Sequence, residues 1–165
     1  DGFVRKPLPP DADLRALVKR LWRLPAGLRV LVADDEPANR LIIVRQVRLL
    51  APKAEILECA TSAAVRAAFA NQPDRPWDLV LLDEHLGRAS ELGSTLAADL
   101  RQVSQGAVFV SISGSGLDPE RFKHFDLLWG KPLPTQAEAR EQLLRALAGR
   151  SEHVGAKSAA LPAQL

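Results

Sequence analysis

The sequence predicts an α/β fold on a parallel sheet, and three observations carry that reading. Short apolar runs recur along the chain, and each stops at a charged or hydroxylic residue. Segments with apolar residues at helical spacing lie between them, and strand and helix alternate five times. Strands buried on both faces read as unbroken apolar runs, and parallel neighbours need right-handed crossovers, usually helical.

The first run, Leu28 to Ala33, is stopped by Asp34-Asp35-Glu36-Pro37. Pro37 suits the first turn of a helix, where its missing N–H costs nothing. From Ala38 to Leu50 the spacing is helical, with Leu41, Val44, Val47 and Leu50 as the expected buried stripe and Arg40, Arg45 and Arg48 as the solvated face. Pro52 stops it. Ala54 to Ala60 reads as the second strand, and Thr61 or Ser62 caps an alanine-rich helix through about Ala70. The loop Asn71 to Pro76 delivers the chain to the run Trp77 to Leu82, which ends at Asp83.

Glu84 to Gly93 reads as a loop and Ser94 to Val103 as a helix. Ala107 to Ile112 is the next strand and ends at Ser113. A flexible turn, Gly114-Ser115-Gly116, leads to an expected short helix from Pro119 to about Phe125. Leu127-Leu128-Trp129-Gly130 then runs into Lys131-Pro132. Thr135 is placed to cap a last helix, Gln136 to Ala148, which Gly149 is expected to end. Residues 150–165 are small, polar and unpatterned, and are expected to be disordered.

Composition sets bounds. A chain of 165 residues buries one full core. A net charge of +2, with arginines scattered along helix faces, gives no argument for nucleic acid. The single cysteine, Cys59, excludes an intrachain disulfide or a cysteine metal site and fits a reducing, cytoplasmic setting. No stretch is long and apolar enough to insert in a membrane.

In an open α/β sheet the ligand site lies beyond the carboxyl ends of the strands. Asp34, Asp35 and Asp83 would meet there, and three carboxylates repel unless a hard cation joins them. Mg²⁺ prefers oxygen ligands and a site of few carboxylates. Ser113 adds a hydroxyl for a phosphoryl oxygen, and Lys131 adds a cation on a flexible stem. Alone, each motif has an ordinary explanation as a cap, a turn or a solvated face. Together, at strand ends and in this order, they suit phosphate chemistry.

This set resembles the receiver domain of two-component response regulators, from Leu28 to Gly149. The resemblance implies a flavodoxin-like, doubly wound sheet of order 2-1-3-4-5 with helices on both faces. It implies that Asp83 accepts a phosphoryl group from a phosphohistidine, with Mg²⁺ held by Asp34, Asp35, Asp83 and the backbone carbonyl of His85. Lys131 and Ser113 would contact phosphate oxygens, and the aspartyl phosphate would later be lost by autodephosphorylation. The partners implied are a histidine kinase or a histidine phosphotransfer protein. Asp34-Asp35-Glu36-Pro37-Ala38-Asn39-Arg40 and Asp83-Glu84-His85-Leu86 resemble receivers attached to hybrid histidine kinases. The chain departs from the pattern in Leu86-Gly87 after the aspartate motif, in Leu128 at the usual aromatic position, and in a short segment between Ser113 and Lys131.

Residues 1–27 stand apart. Phe3-Val4-Arg5-Lys6-Pro7 echoes Leu128 to Pro132, and each is followed by an amphipathic segment. The echo, in a chain that opens without methionine, suggests the tail of a preceding receiver, with Pro25-Ala26-Gly27 as linker. Besides a whole hybrid kinase with this chain as its regulatory end, two rival readings remain: a pseudo-receiver that binds proteins without phosphotransfer, and a phosphohydrolase with an aspartate nucleophile. The second would want another aspartate two residues after Asp83, where this chain has His85.

Overall fold

The computed structural model describes residues 24–71, 74–87, 92–114 and 120–158. The expected preceding-receiver tail at residues 1–23 and the final residues 159–165 lie outside them. Five strands form one parallel sheet: β1 Arg29–Ala33, β2 Glu55–Cys59, β3 Leu79–Asp83, β4 Val108–Ile112 and β5 Leu127–Trp129. Among the described residues, four helices connect and flank them: α1 Pro37–Leu50, α2 Ser62–Ala70, α3 Gly93–Val103 and α4 Gln136–Ser158. The strand order is β2-β1-β3-β4-β5, the doubly wound order expected.

Strand side chains alternate between faces, so the apolar runs divide into two cores. Val30, Val32, Leu79, Leu81, Val108, Val110 and Trp129 pack with Ile43 and Val47 of α1 and with Ala139 and Leu143 of α4. Leu31, Ala33, Val80, Leu82 and Phe109 pack on the other face with Val65 of α2 and Leu96 of α3. Every residue of β1, β3 and β4 is buried, which is why these strands carry no polar alternation. Caps set the helix starts as expected. Thr61 Oγ1 accepts the Ala64 N–H at 3.2 Å. Thr135 and Glu138 form a reciprocal box, with the Thr135 N–H donating to Glu138 Oε2 at 2.9 Å.

Four expectations need correction. The buried stripe of α1 is Ile43, Val47 and Leu50, while Leu41 is 69% exposed. Steps of three lag the helix by about 60° each, so Leu41 ends up roughly opposite Leu50. Arg40 is not solvated; its side chain turns back toward the end of β1. Gly149 does not end α4, which continues to Ser158, into the tail expected to be disordered. A glycine ends a helix when it takes positive φ, and among the described glycines only Gly27 and Gly87 do. Residues 120–124 form turns, not the expected short helix, although Pro119 itself lies outside the described residues.

Gly93 is a point of close approach. A Cβ there would lie 2.2 Å from the backbone oxygen of Asp83. Gly93→Ala is expected to destabilise the fold by about 1–3 kcal/mol through overpacking. Gly149→Ala, at a helical site with open space around it, is expected to stabilise by about 0.5–1 kcal/mol. Denaturant melts of both variants check the pair; destabilisation by Gly149→Ala would restore a helix end at that glycine.

Candidate functional site

The sheet's regularity assembles the site. Because all strands are parallel, Asp34, Asp83, Ser113 and Lys131 emerge at one edge. The period of two then sorts them by face. Asp34 continues the row Val30–Val32, Asp83 continues Leu79–Leu81, and Lys131 continues Leu127–Trp129, all on the side of α1 and α4. The register Ala33↔Leu82 sets Asp34 beside Asp83.

These groups meet. Lys131 Nζ lies 2.7 Å from Asp83 Oδ1 and 3.1 Å from Asp34 Oδ2, bridging two carboxylates from separate strands. The backbone N–H groups of the turns complete the orientation. Glu36 donates to Asp34 Oδ1 at 2.9 Å, and His85 donates to Asp83 Oδ2 at 3.1 Å. Asn39 Nδ2 adds a 3.3 Å contact to Asp34 Oδ1. Asp34 and Asp83 are buried, whereas Asp35 is exposed and its carboxylate makes no hydrogen bond among the described residues. Oxygens of all three acids lie within 4.8 Å of one another. An all-oxygen set of this size suits a hard divalent cation such as Mg²⁺.

Ser113 is buried at the end of β4, and its N–H donates to the Trp129 carbonyl at 3.0 Å. It continues the opposite row, Phe109–Ser111, one residue past Ile112, which pairs with Asp83. Gly114 follows beside Lys131, with 3.8 Å between its would-be Cβ and the lysine Cβ. The Lys131–Pro132 peptide is cis. The His85 side chain is exposed, as expected when only its carbonyl has a role. Leu128 is 41% exposed and Trp129 faces the core, where its Nε1 donates to Gln142 Oε1 at 2.6 Å.

Two residues escaped the sequence reading. Arg40 Nη1 donates to the carbonyls of Asp34 at 2.7 Å and Asp35 at 3.2 Å, so a helix arginine braces the acidic turn. Glu84, next to Asp83, is buried with Ser94 and Arg121 as its partners. The Asn39-Arg40 pair was visible as a motif, but its contact was not. Nothing in the sequence marked Glu84.

No family model matches the sequence, and no curated protein matches it either. Solved structures do. The signal receiver domain of an HD domain-containing protein from Pseudomonas fluorescens Pf-5 is 20% identical, with 76% of this chain and 98% of that one covered at a TM-score of 0.60. A CheY-like response regulator receiver domain from Methanospirillum hungatei JF-1 is 17% identical, covering 78% and 99%, at 0.62. One from Methylobacillus flagellatus is 21% identical, covering 74% and 99%, at 0.60. The chain has the receiver-domain fold. At these identities the likeness is one of architecture, and the chemistry rests on the chain's own residues. Among the described residues, no helix of this receiver fold is long and apolar enough to cross a membrane.

Burial alone would lower the pKa of Lys131, but hydrogen bonds and charge from Asp83 and Asp34 outweigh it and hold the ammonium above its ordinary 10.5. The pair therefore stabilises the fold in full below that value, and the contribution is lost as pH rises through the elevated one. Without divalent metal, the parent is expected to lose more thermal stability between about pH 10 and 12 than Lys131→Met does. Parallel melting profiles over that range would count against the bridge.

Proposed function

We propose that this chain is a phosphorelay receiver that accepts a phosphoryl group onto Asp83 from a phosphohistidine. The observation that carries the reading is the Lys131 ammonium bridging Asp34 and Asp83, with Asp35 oxygens in the same 4.8 Å cluster. That group can position a phosphoryl donor, balance its charge and supply an oxygen nucleophile.

In this reading an Asp83 oxygen forms a bond to phosphorus as the P–N bond of phosphohistidine breaks, and the imidazole nitrogen keeps the bonding pair. The His85 N–H holds the second Asp83 oxygen, so the carboxylate presents a fixed direction. Lys131 transfers its contact from the carboxylate to a phosphoryl oxygen, and the Ser113 hydroxyl donates to another. Asp34, Asp35, Asp83 and the His85 carbonyl would hold Mg²⁺, which when bound neutralises the crowded acids and the phosphoryl oxygens. The donor is a histidine kinase or a histidine phosphotransfer protein. The sequence motifs favour a hybrid histidine kinase or a tandem-receiver protein as its setting.

A second reading, a pseudo-receiver that binds proteins without phosphotransfer, draws on the exposed Leu128 and on the turns at residues 120–124. Acetyl phosphate with Mg²⁺ separates the two. The parent chain is expected to gain one base-labile phosphoryl group that hydroxylamine removes. Asp83→Asn should abolish labelling while keeping a cooperative melt, because the amide is nearly isosteric. Undiminished label in Asp83→Asn would move the acceptor elsewhere, and an unlabelled parent would favour the pseudo-receiver.

A further inference from the structure

Glu84 follows Asp83 directly, yet its side chain is 1% exposed, an unusual place for a carboxylate. Its contacts explain how it stays there. The α3 cap residue, Leu92, has no side-chain oxygen to offer the helix. Glu84 supplies one from earlier in the chain: Oε2 accepts the Ser94 N–H at 3.0 Å, and Oε1 accepts the Ser94 hydroxyl at 2.7 Å. A negative charge also suits the positive end of the helix.

The backbone is gripped at the same point. The Gly93 N–H donates to the Glu84 carbonyl at 3.0 Å, and Gly93 leaves no room for a Cβ against the Asp83 carbonyl. The turn after Asp83 is thus held by the first turn of α3 at Glu84, through both its carbonyl and its side chain. His85, whose N–H orients the Asp83 carboxylate, is the next residue.

The compensating charge arrives from a third element. Arg121 places Nε at 2.8 Å and Nη2 at 2.7 Å from Glu84 Oε1. Arg121 belongs to the turns between β4 and β5, and that segment is fixed again further on. Arg101 of α3 donates to the His124 carbonyl at 2.9 Å and pairs with Asp126. Phe122, beside Arg121, is buried with 6.0 Å between its ring centre and that of Phe125.

We infer that Glu84 and Arg121 act as one positioning pair: they fix the turn that aims Asp83, and they link that turn mechanically to residues 120–126. The inference rests on Asp83 being the phosphoacceptor. A buried acid that loses its cation must move or recruit water, and the peptide carrying Asp83 then shifts with it. Coupling is reciprocal, so a change of charge at Asp83 is felt in residues 120–126 through the same ion pair.

The test combines labelling with hydrogen exchange on the intact chain. Initial labelling rates are measured against acetyl phosphate concentration at saturating Mg²⁺ for the parent, Arg121→Ala, Arg121→Lys, Glu84→Gln and the Glu84→Gln/Arg121→Ala double variant. Rates are scaled to the folded fraction from circular dichroism. Arg121→Ala and Glu84→Gln should each lower the maximal rate about tenfold, with little change in half-saturating acetyl phosphate. Arg121→Lys should recover most of the loss, and the double variant should be no slower than the single ones. Beryllofluoride should change exchange over residues 120–126 at least about threefold in the parent and leave it unchanged in Arg121→Ala.

A maximal rate in Arg121→Ala within about twofold of the parent's overturns the pair while leaving the phosphoacceptor reading intact. So does a double variant slowed by the product of the single effects, or a beryllofluoride response that survives in Arg121→Ala. A parent that takes up no label at Asp83 overturns the phosphoacceptor reading, and this inference with it.

Discussion

Asp34 and Asp83 are buried at the ends of adjacent strands, and Asp35 brings a third carboxylate to within 4.8 Å. Like charges at that separation in a poorly solvated site repel strongly. The Lys131 ammonium, 2.7 and 3.1 Å from two of the acids, counters that repulsion from a different strand. Much else follows from keeping this group together. β5 must deliver Lys131 to the same edge as β1 and β3, so the sheet must be parallel and in register. Trp129 anchors that short strand in the core, with its indole tied to α4.

The acids also need their turns held. Backbone N–H groups of Glu36 and His85 each bind a carboxylate oxygen, so the charge is stabilised by dipoles that are already oriented. Arg40 braces the first turn through its carbonyls, and Glu84 with Ser94 braces the second through the α3 terminus. The two braces are alike in logic: a helix beside each turn contributes the group that fixes it. This division leaves the Asp35 carboxylate exposed and without a hydrogen bond among the described residues. In the proposed function it is the carboxylate most open to Mg²⁺.

Most of the architecture was legible because burial on both faces leaves a plain mark. Leu79 to Leu82 is wholly apolar, and so is Val30 to Ala33, and the acids that stop them sit where the strands end. The site was legible for the same reason, since a parallel sheet turns distant strand ends into neighbours. The α1 stripe was misread because Ile42, Ile43 and Leu41 are equally apolar. Only packing decides which of them faces Val47 and the sheet. Gly149 misled because a glycine's sequence does not reveal the sign of its φ. Glu84 and Arg121 lie 37 residues apart, one in an expected loop and the other in an expected short helix, and no periodicity links them. Their pairing appears only when α3 and the β4–β5 turns are placed side by side.

In the proposed function the three acids form one cation site, with Asp35 its most available ligand. Calorimetric titration of Mg²⁺ into the parent chain and into Asp35→Ala tests it most directly. The account predicts saturable 1:1 binding by the parent and a loss of at least about tenfold in affinity for Asp35→Ala, because two buried acids already shared with Lys131 make a poor site alone. A parent that binds no Mg²⁺, or an Asp35→Ala variant that binds as tightly as the parent, would contradict it.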